Sequence, residues 1–220
     1  DADMDLIVAQ RDNGQVMWLE DVANSTTPQT DWEVLANVSN VADLTVVDID
    51  SDGDLDVLAV SQNAGIVTWI RNDGTVSNWP TAVIHQVSPT VTKHIEPIDY
   101  DGDGDLDIAV GNLDRVEILI NDTAGFTTWA SADLLVSSAD LGFVNNMDAA
   151  DVDGDGDMDL LVAAYTQDQV VWLENPGTVG ATWTANVIGS GADFNGIWDV
   201  KAINFDGDGD QDVVVSTLQS

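Results

Sequence analysis

Four segments of the chain place aspartate or asparagine at every second position and then continue directly into an apolar run. We call them loop A, loop B, loop C and loop D; they read DIDSDGDLD (Asp48–Asp56), DYDGDGDLD (Asp99–Asp107), DVDGDGDMD (Asp151–Asp159) and NFDGDGDQD (Asn204–Asp212). Side-chain oxygens fall at loop positions 1, 3, 5 and 9, and glycine falls at position 6. Calcium takes about six to eight oxygens in proteins, and glycine permits a sharp turn around the ion. The spacing therefore predicts calcium-binding loops.

An EF-hand is the main alternative for acidic loops of this length. That motif requires a bidentate glutamate at loop position 12, followed by a helix. Position 12 is occupied here by alanine or valine, each inside a run of β-type residues: Ala59, Val110, Val162 and Val215. The EF-hand is therefore rejected.

The loops are the most visible part of a longer repeat. Their ninth residues recur at intervals of 51, 52 and 53 residues, and a truncated copy, DADMD, begins at Asp1. Loops A, B and C are each followed by three apolar or alternating runs bounded by turn residues, and a fourth run leads into the next loop. Four short strands per repeat of this length, without helical periodicity, are typical of β-propeller blades. We predict an all-β fold of four-stranded antiparallel blades.

The repeats continue through the whole chain, so we predict a single propeller over residues 1–220. Its expected repeats are 1–40 (partial), 41–90, 91–142, 143–195 and 196–220 (partial). The first partial repeat lacks its first strand, and the last holds only a first and a second strand. We expect an excerpt from a longer array, with a compact four-blade ring or closure through a second copy as alternatives.

Composition limits the possible binding partners and the possible cross-links of the fold. The formal net charge is -35, from 40 acidic and 5 basic residues, which opposes nucleic-acid binding. Cysteine is absent, so disulfides and thiolate metal sites are excluded and any metal must be held by oxygen. No apolar run approaches the roughly 20 residues that span a bilayer. We therefore expect neither a nucleic-acid partner nor a membrane span.

The loop followed by a short strand, together with VMWLED, VTWIRND and VVWLENPG, resembles the FG-GAP/VCBS repeats of integrin-α-type propellers and secreted bacterial proteins. The resemblance covers the whole chain and implies a calcium-binding propeller in which each loop joins the first and second strands of a blade. It implies about three to four structural calcium ions.

The resemblance also implies the ligands. The side-chain ligands would be Asp48, Asp50, Asp52, Asp56, Asp99, Asp101, Asp103, Asp107, Asp151, Asp153, Asp155, Asp159, Asn204, Asp206, Asp208 and Asp212. The residues at position 7 would bind through their backbone oxygens: Asp54, Asp105, Asp157 and Asp210. Asn204 is neutral and should weaken calcium binding by loop D. The truncated copy has only Asp1, Asp3 and Asp5, and it should bind calcium poorly.

Aromatic residues recur in the repeat as well. Trp18, Trp69 and Trp172 occupy matching positions, and we expect them to pack between blades. Trp198 has no counterpart in the other repeats, so it is the candidate for stacking on a sugar ring. His85 and His94 are expected to be incidental strand or surface residues, and the basic side chains are expected to pair with nearby carboxylates.

These features favour a secreted or cell-surface module that binds a glycan or an extracellular protein. No nucleophile and base arrangement or phosphate-binding glycine loop is present, so we expect no enzyme activity. Two alternatives remain: the propeller of a secreted polysaccharide-degrading enzyme, and a structural subunit that self-associates through its terminal strands.

Overall fold

A computed structural model describes residues 4–20, 32–75, 79–86, 91–121, 129–136 and 141–218. These residues form antiparallel sheets joined by turns and loops, with short 3-10 turns at Tyr165–Gln167 and Ala192–Phe194. The first sheet contains β1 (Leu6–Gln10), β2 (Gln15–Leu19) and β3 (Glu33–Asn37). The second contains β4 (Val41–Val47), β5 (Asp56–Ser61), β6 (Ile66–Ile70) and β7 (Thr81–Gln86).

The remaining sheets repeat this pattern. The third contains β8 (Thr92–Ile98), β9 (Asp107–Asn112), β10 (Val116–Ile120) and β11 (Ala130–Val136). The fourth contains β12 (Val144–Ala150), β13 (Asp159–Ala164), β14 (Gln169–Glu174) and β15 (Thr184–Ser190). The fifth contains β16 (Ile197–Ile203) and β17 (Asp212–Thr217). Within each sheet, strands that are adjacent in sequence pair with one another in antiparallel fashion, so the predicted all-β fold of antiparallel sheets is confirmed.

The second strand of each complete sheet is buried on both faces. All six residues are buried in β5, in β9 and in β13, which explains why these strands read as continuous apolar runs. Successive side chains of these strands contact different neighbouring sheets, because successive residues of a strand point to opposite faces. Leu58 packs towards the third sheet, for example, whereas Val57 packs towards the first. Each hydrophobic core is thus shared by two consecutive sheets.

Tryptophan pairs join consecutive repeats. Trp18 lies 5.9 Å from Trp79 of the next sheet, and Trp69 lies 6.2 Å from Trp129 in an edge-to-face arrangement. In the third sheet Ile118 replaces tryptophan and shares a core with Trp183 of the fourth. The predicted packing of Trp18 and Trp69 between repeats is confirmed.

The first strands of the second to fifth sheets lie side by side and are joined by bonds between repeats. The residue five positions before loops A, B and C bonds to the main chain of the following repeat. An Asp43 oxygen accepts from the Ile95 N–H (3.2 Å), His94 Nε2 bonds the Met147 carbonyl (3.0 Å), and Asn146 Oδ1 accepts from the Val200 N–H (3.4 Å). These bonds fix how neighbouring repeats are aligned.

In the described ranges β16 pairs with β17 and β1 pairs with β2, and no strand pairing closes the five sheets into a ring. None of the helical segments in these ranges has the length and apolar character to cross a bilayer.

Candidate metal centres

The four acidic loops occupy equivalent places in the fold. Each connects the first strand of a sheet to the second, and its ninth residue is the first residue of the second strand. That residue faces the end of the preceding strand in the antiparallel ladder; the pairs are Val47 with Asp56, Ile98 with Asp107, Ala150 with Asp159 and Ile203 with Asp212. Sheet pairing therefore holds both ends of every loop.

The loop backbone curls around its own carboxylates. Position 6 has positive φ in all four loops: Gly53 (96°), Gly104 (95°), Gly156 (102°) and Gly209 (108°). The expectation that this glycine forms the turn is confirmed. Position 5 accepts a hydrogen bond from the N–H of position 7 in every loop, as when Asp155 Oδ1 accepts from Asp157 at 2.9 Å.

Three of the four loops bring acidic side chains together. Carboxylate oxygens within 4.8 Å of one another come from positions 1, 3 and 5 in loop A, and from positions 1, 3 and 9 in loops B and C. These groups are Asp48, Asp50 and Asp52; Asp99, Asp101 and Asp107; and Asp151, Asp153 and Asp159. Within the described ranges loop D forms no such group of three acidic side chains.

The other predicted ligands lie in the same loops but outside those groups. At position 5 these are Asp103 and Asp155; in loop A Asp56 lies outside as well. In loop D the Asn204 Oδ1 accepts from the Gly207 N–H at 2.7 Å, and an Asp212 oxygen accepts from the Phe205 N–H at 2.9 Å. Loop D thus has the same backbone hydrogen bonding with a more open arrangement of oxygens.

The ninth residue is the deepest carboxylate of each complete repeat. Asp56, Asp107 and Asp159 are buried, and burial raises the pKa of Asp56 and Asp107 to about 6. Burial also raises the pKa of Asp159. Burial alone disfavours the charged form of a carboxyl group, and a cation beside it would reverse that preference.

An asparagine after the third strand holds this buried carboxylate. The N–H groups of Asn72, Asn121 and Asn175 donate to Asp56, Asp107 and Asp159 at 2.7, 2.7 and 2.8 Å. The recurring Trp-x-x-Asn pattern was the available signal for this residue, although the sequence did not show its partner.

The same asparagine connects consecutive loops. The Asn121 side-chain amide donates to Leu106 of loop B and to Ile49 of loop A, both at 3.2 Å. The Asn175 amide donates to Met158 of loop C at 3.0 Å and to Tyr100 of loop B at 3.2 Å. Neighbouring loops are therefore linked through one side chain.

Position 7 lies against a glycine turn of the same repeat. A Cβ atom on Gly74 would come within 2.8 Å of an Asp54 side-chain oxygen, and one on Gly177 would come within 2.1 Å of an Asp157 oxygen. Both glycines have positive φ, so they are required by backbone conformation and by space. The predicted backbone coordination by Asp54, Asp105, Asp157 and Asp210 stays a prediction.

Loop A differs from the others because the side chain of Arg71, which follows β6, reaches it. Arg71 Nε lies 2.7 Å from Asp50 Oδ2, and Arg71 Nη2 lies 3.1 Å from Asp52 Oδ2. The second oxygen of Asp50 is buried and has no hydrogen-bond partner within the described ranges. Arg71 directly precedes Asn72. The residues that directly precede the equivalent asparagines in the next two repeats are Ile120 and Glu174.

The arrangement fits a hard divalent cation. All donors are oxygens, the carboxylates converge within a few ångströms, and the turn is already formed by backbone hydrogen bonds. Of the truncated copy, Asp1 and Asp3 lie outside the described residues, and Asp5 directly precedes β1.

Sequence comparisons place these loops in a known repeat. The profile of the FG-GAP-like repeat matches three overlapping segments, residues 48–110, 99–162 and 151–215. No curated protein sequence gives a significant match.

Solved structures share the fold, and two of them are a lectin and a biofilm matrix protein. A lectin of Agrocybe aegerita, described for specific recognition of non-reducing terminal N-acetylglucosamine, has a TM-score of 0.60 and 18% identity over 96% of this chain. The V. cholerae biofilm matrix protein Bap1 has a TM-score of 0.54 and 20% identity over 97% of this chain. The chain spans 60% of the first protein and 31% of the second.

Proposed function

The chain belongs to the family of FG-GAP-like repeats, and on this premise we propose that it is a calcium-stabilised extracellular module that binds a glycan or a protein. The observation that carries the calcium part is the grouping of three carboxylates in each of loops A, B and C. Calcium there acts as a structural staple between the first two strands of a sheet.

Electrostatics support the need for a cation. In the described parts of the chain, Arg71, which follows β6 and reaches loop A, is the one lysine or arginine that forms an ion pair with an acidic loop. Loops B and C therefore have no such compensation within those ranges, although each contains a buried aspartate. A bound divalent cation would offset both the mutual repulsion and the burial cost of these carboxylates.

We propose that the sheets are blades of a β-propeller. The support is the repeated antiparallel sheet, the shared core between consecutive sheets and the contact among the first strands. A ring of such sheets buries every second strand on both faces, as seen in β5, β9 and β13.

The binding role rests on similarity and on charge. One structural relative is described as a lectin and the other as a biofilm matrix protein. At 18% and 20% identity they support a binding function in general and do not specify the ligand. Calcium modules outside cells bind the ion at about 10⁻⁴ to 10⁻³ M, which suits a secreted or surface location. The formal net charge of -35 makes nucleic acid an unsuitable partner. We assign no catalytic role to the chain.

The test of the staple is a thermal melt with calcium and with chelator, combined with metal analysis. We expect about three bound ions per chain, one for each group of carboxylates. A ligand at a hundredfold excess over Kd stabilises by about 2.7 kcal/mol per site, so three sites should raise Tm by about 15 °C or more. An unchanged melt without bound metal would contradict the calcium proposal.

The test of binding is capture of glycans and of extracellular matrix proteins by the calcium-loaded chain, repeated after chelation. Binding that is lost with calcium and restored with it supports a stapled binding module. Degradation of a polysaccharide by the isolated chain would instead favour the enzyme alternative.

A further inference from the structure

A cleft opens at the starts of the first strands, at the end opposite the acidic loops. It encloses about 240 Å³ and is lined by residues from β4, β8, β12 and β16, which belong to four consecutive repeats. The strands are seven residues long, so about 20 Å separate the cleft from the acidic loops. A ligand in the cleft would not touch the metal centres.

One wall of the cleft is aromatic. Trp198 is 47% exposed, and its ring lies 6.5 Å from that of Tyr165 in an edge-to-face arrangement. Tyr165 in turn lies edge-to-face with Phe143 at 6.3 Å. This support orients the indole while part of its surface stays open to solvent.

The repeat itself does not require an aromatic residue at this position. The residues equivalent to Trp198, six positions before loops A, B and C, are Ala42, Lys93 and Asn145. The four first strands pair with their second strands in the same way despite these unlike side chains. The exposed indole is therefore a feature of this cleft and not of the blade.

Polar groups of both kinds surround the indole. An Asp199 carboxylate oxygen is buried without a hydrogen-bond partner in the described ranges, so it offers a strong acceptor. Asn145 Nδ2 donates to the Trp198 carbonyl at 2.6 Å, which fixes the amide at the rim. Lys93 Nζ lies 5.4 Å from the Phe143 ring centre and supplies a donor.

We propose that this cleft is a saccharide-binding site that takes one neutral pyranose ring, with or without an N-acetyl group. This assignment rests on the proposed binding function and adds its location. The apolar face of the ring would stack on Trp198, while hydroxyl groups would donate to Asp199 and accept from Lys93.

Size and charge favour this class of ligand. A volume of about 240 Å³ is below the range of about 300–1,000 Å³ typical of drug-sized ligands, and it suits a single ring. Within the cleft the acidic Asp43 and Asp199 stand beside the basic Lys93 and His94, which suits a neutral ring, and the formal net charge of -35 over the whole chain disfavours anionic sugars.

The experiment is saturation-transfer difference NMR and titration of the calcium-loaded full chain with glucose, galactose and N-acetylglucosamine in turn. Trp198→Ala should lower the affinity about tenfold or more by removing the stacking surface, and Trp198→Phe should recover part of it. Asp199→Asn should also weaken binding, because it replaces a carboxylate acceptor by a neutral amide. Calcium-dependent melts of each variant check that the fold is kept.

The matched control is Phe205→Ala. Phe205 is a 78% exposed aromatic residue in loop D, at the other end of the same strand, and its loss should leave saccharide binding unchanged. Saccharide binding that survives Trp198→Ala and Asp199→Asn would overturn the site and leave the proposed function standing. If none of the three sugars binds the wild-type chain, the site is also overturned, while calcium stapling and protein capture still test the proposed function separately.

Discussion

The first strands and the acidic loops solve the same electrostatic problem in different ways. Along the first strands, from the cleft towards the acidic loops, acidic residues meet cations of the protein: His94 lies between Asp43 (2.7 Å) and Glu96 (3.4 Å), and Lys201 pairs with Asp148. At the loop end, carboxylates gather around each other. The charges along the strands are thus largely paired within the fold, apart from the Asp199 oxygen in the cleft, whereas the loops are arranged to receive an ion.

Loop A is intermediate between these two solutions. Arg71 brings a guanidinium group to Asp50 and Asp52, so part of the role of an ion is taken by the chain itself. A carboxylate that is paired with an arginine is always compensated, whereas a carboxylate that is paired with calcium is compensated only when calcium is available. The comparison thus predicts which parts of the fold respond to calcium and which respond to pH.

The largest effect along the first strands should come from His94. Burial lowers the pKa of His94, but hydrogen bonds and charges from Asp43 and Glu96 outweigh it and raise the pKa to about 9. Because the folded pKa lies above the unfolded value of about 6.5, this stabilisation is complete below about pH 6.5. It is lost as pH rises through about 9.

The measurement is urea unfolding of the calcium-loaded protein between pH 6 and pH 9.5. Wild type should lose up to about 3 kcal/mol across this window, and His94→Gln should be destabilised at the acidic end with a flatter profile. His85→Gln is the control, since His85 faces the single carboxylate of Glu117. Equal profiles for wild type and His94→Gln would contradict the prediction. They would show that the interactions of His94 with Asp43 and Glu96 do not stabilise the fold.

A smaller effect is expected from the asparagines that anchor the loops. Asn175→Ala removes the bonds that its amide donates to Tyr100 and Met158, and should cost about 2 kcal/mol of unfolding free energy. Asn72→Ala removes a longer, exposed donated bond of 3.3 Å to Leu55 and should cost less than about 1 kcal/mol. Each variant also loses a bond accepted from a glycine N–H at 3.1 Å, from Gly177 or from Gly74, so this loss is common to both. Urea unfolding of both variants with calcium compares them; equal losses would show that linkage between loops contributes nothing measurable.

The smallest effect should come from Arg71. Arg71→Gln removes an ion pair at a partly exposed site, so stability in chelator should fall by about 1 kcal/mol or less. The gain in stability on adding calcium should increase, because loop A then depends on the ion as loops B and C do. Melts with and without calcium measure this gain, and Arg115→Gln, whose partner Glu117 lies outside the loops, should leave it unchanged. A gain that fails to increase would show that Arg71 does not compete with calcium.

Much of this architecture was predictable because it repeats. The loops, the buried second strands and the order of strands each occur several times in register, so a weak pattern becomes strong by repetition. The exchange of tryptophan for Ile118 also indicated packing correctly. Physical periodicity of two along a strand and about fifty along the chain was sufficient for these features.

Single occurrences could not be predicted in the same way. Arg71 pairs with carboxylates as expected of the basic residues, but its partners precede it by about twenty positions and no other repeat has a basic residue there, so they could not be identified. His94 was expected to be incidental, yet its side chain is only 13% exposed and lies between two carboxylates. One of these, Asp43, comes from the previous repeat, and contacts of that kind depend on how sheets stack. Trp198 was singled out from sequence, but its aromatic support required the structure.

Within each sheet, pairing joins strands that are adjacent in sequence, and this order has a kinetic consequence. Each sheet can form within about fifty consecutive residues, so closing its hydrogen-bonded ladders costs little loop entropy for a β protein. A completed sheet then offers a ready surface for the next one, as in other repeat proteins. We expect folding to begin within one repeat and to spread along the chain in both directions, one sheet at a time.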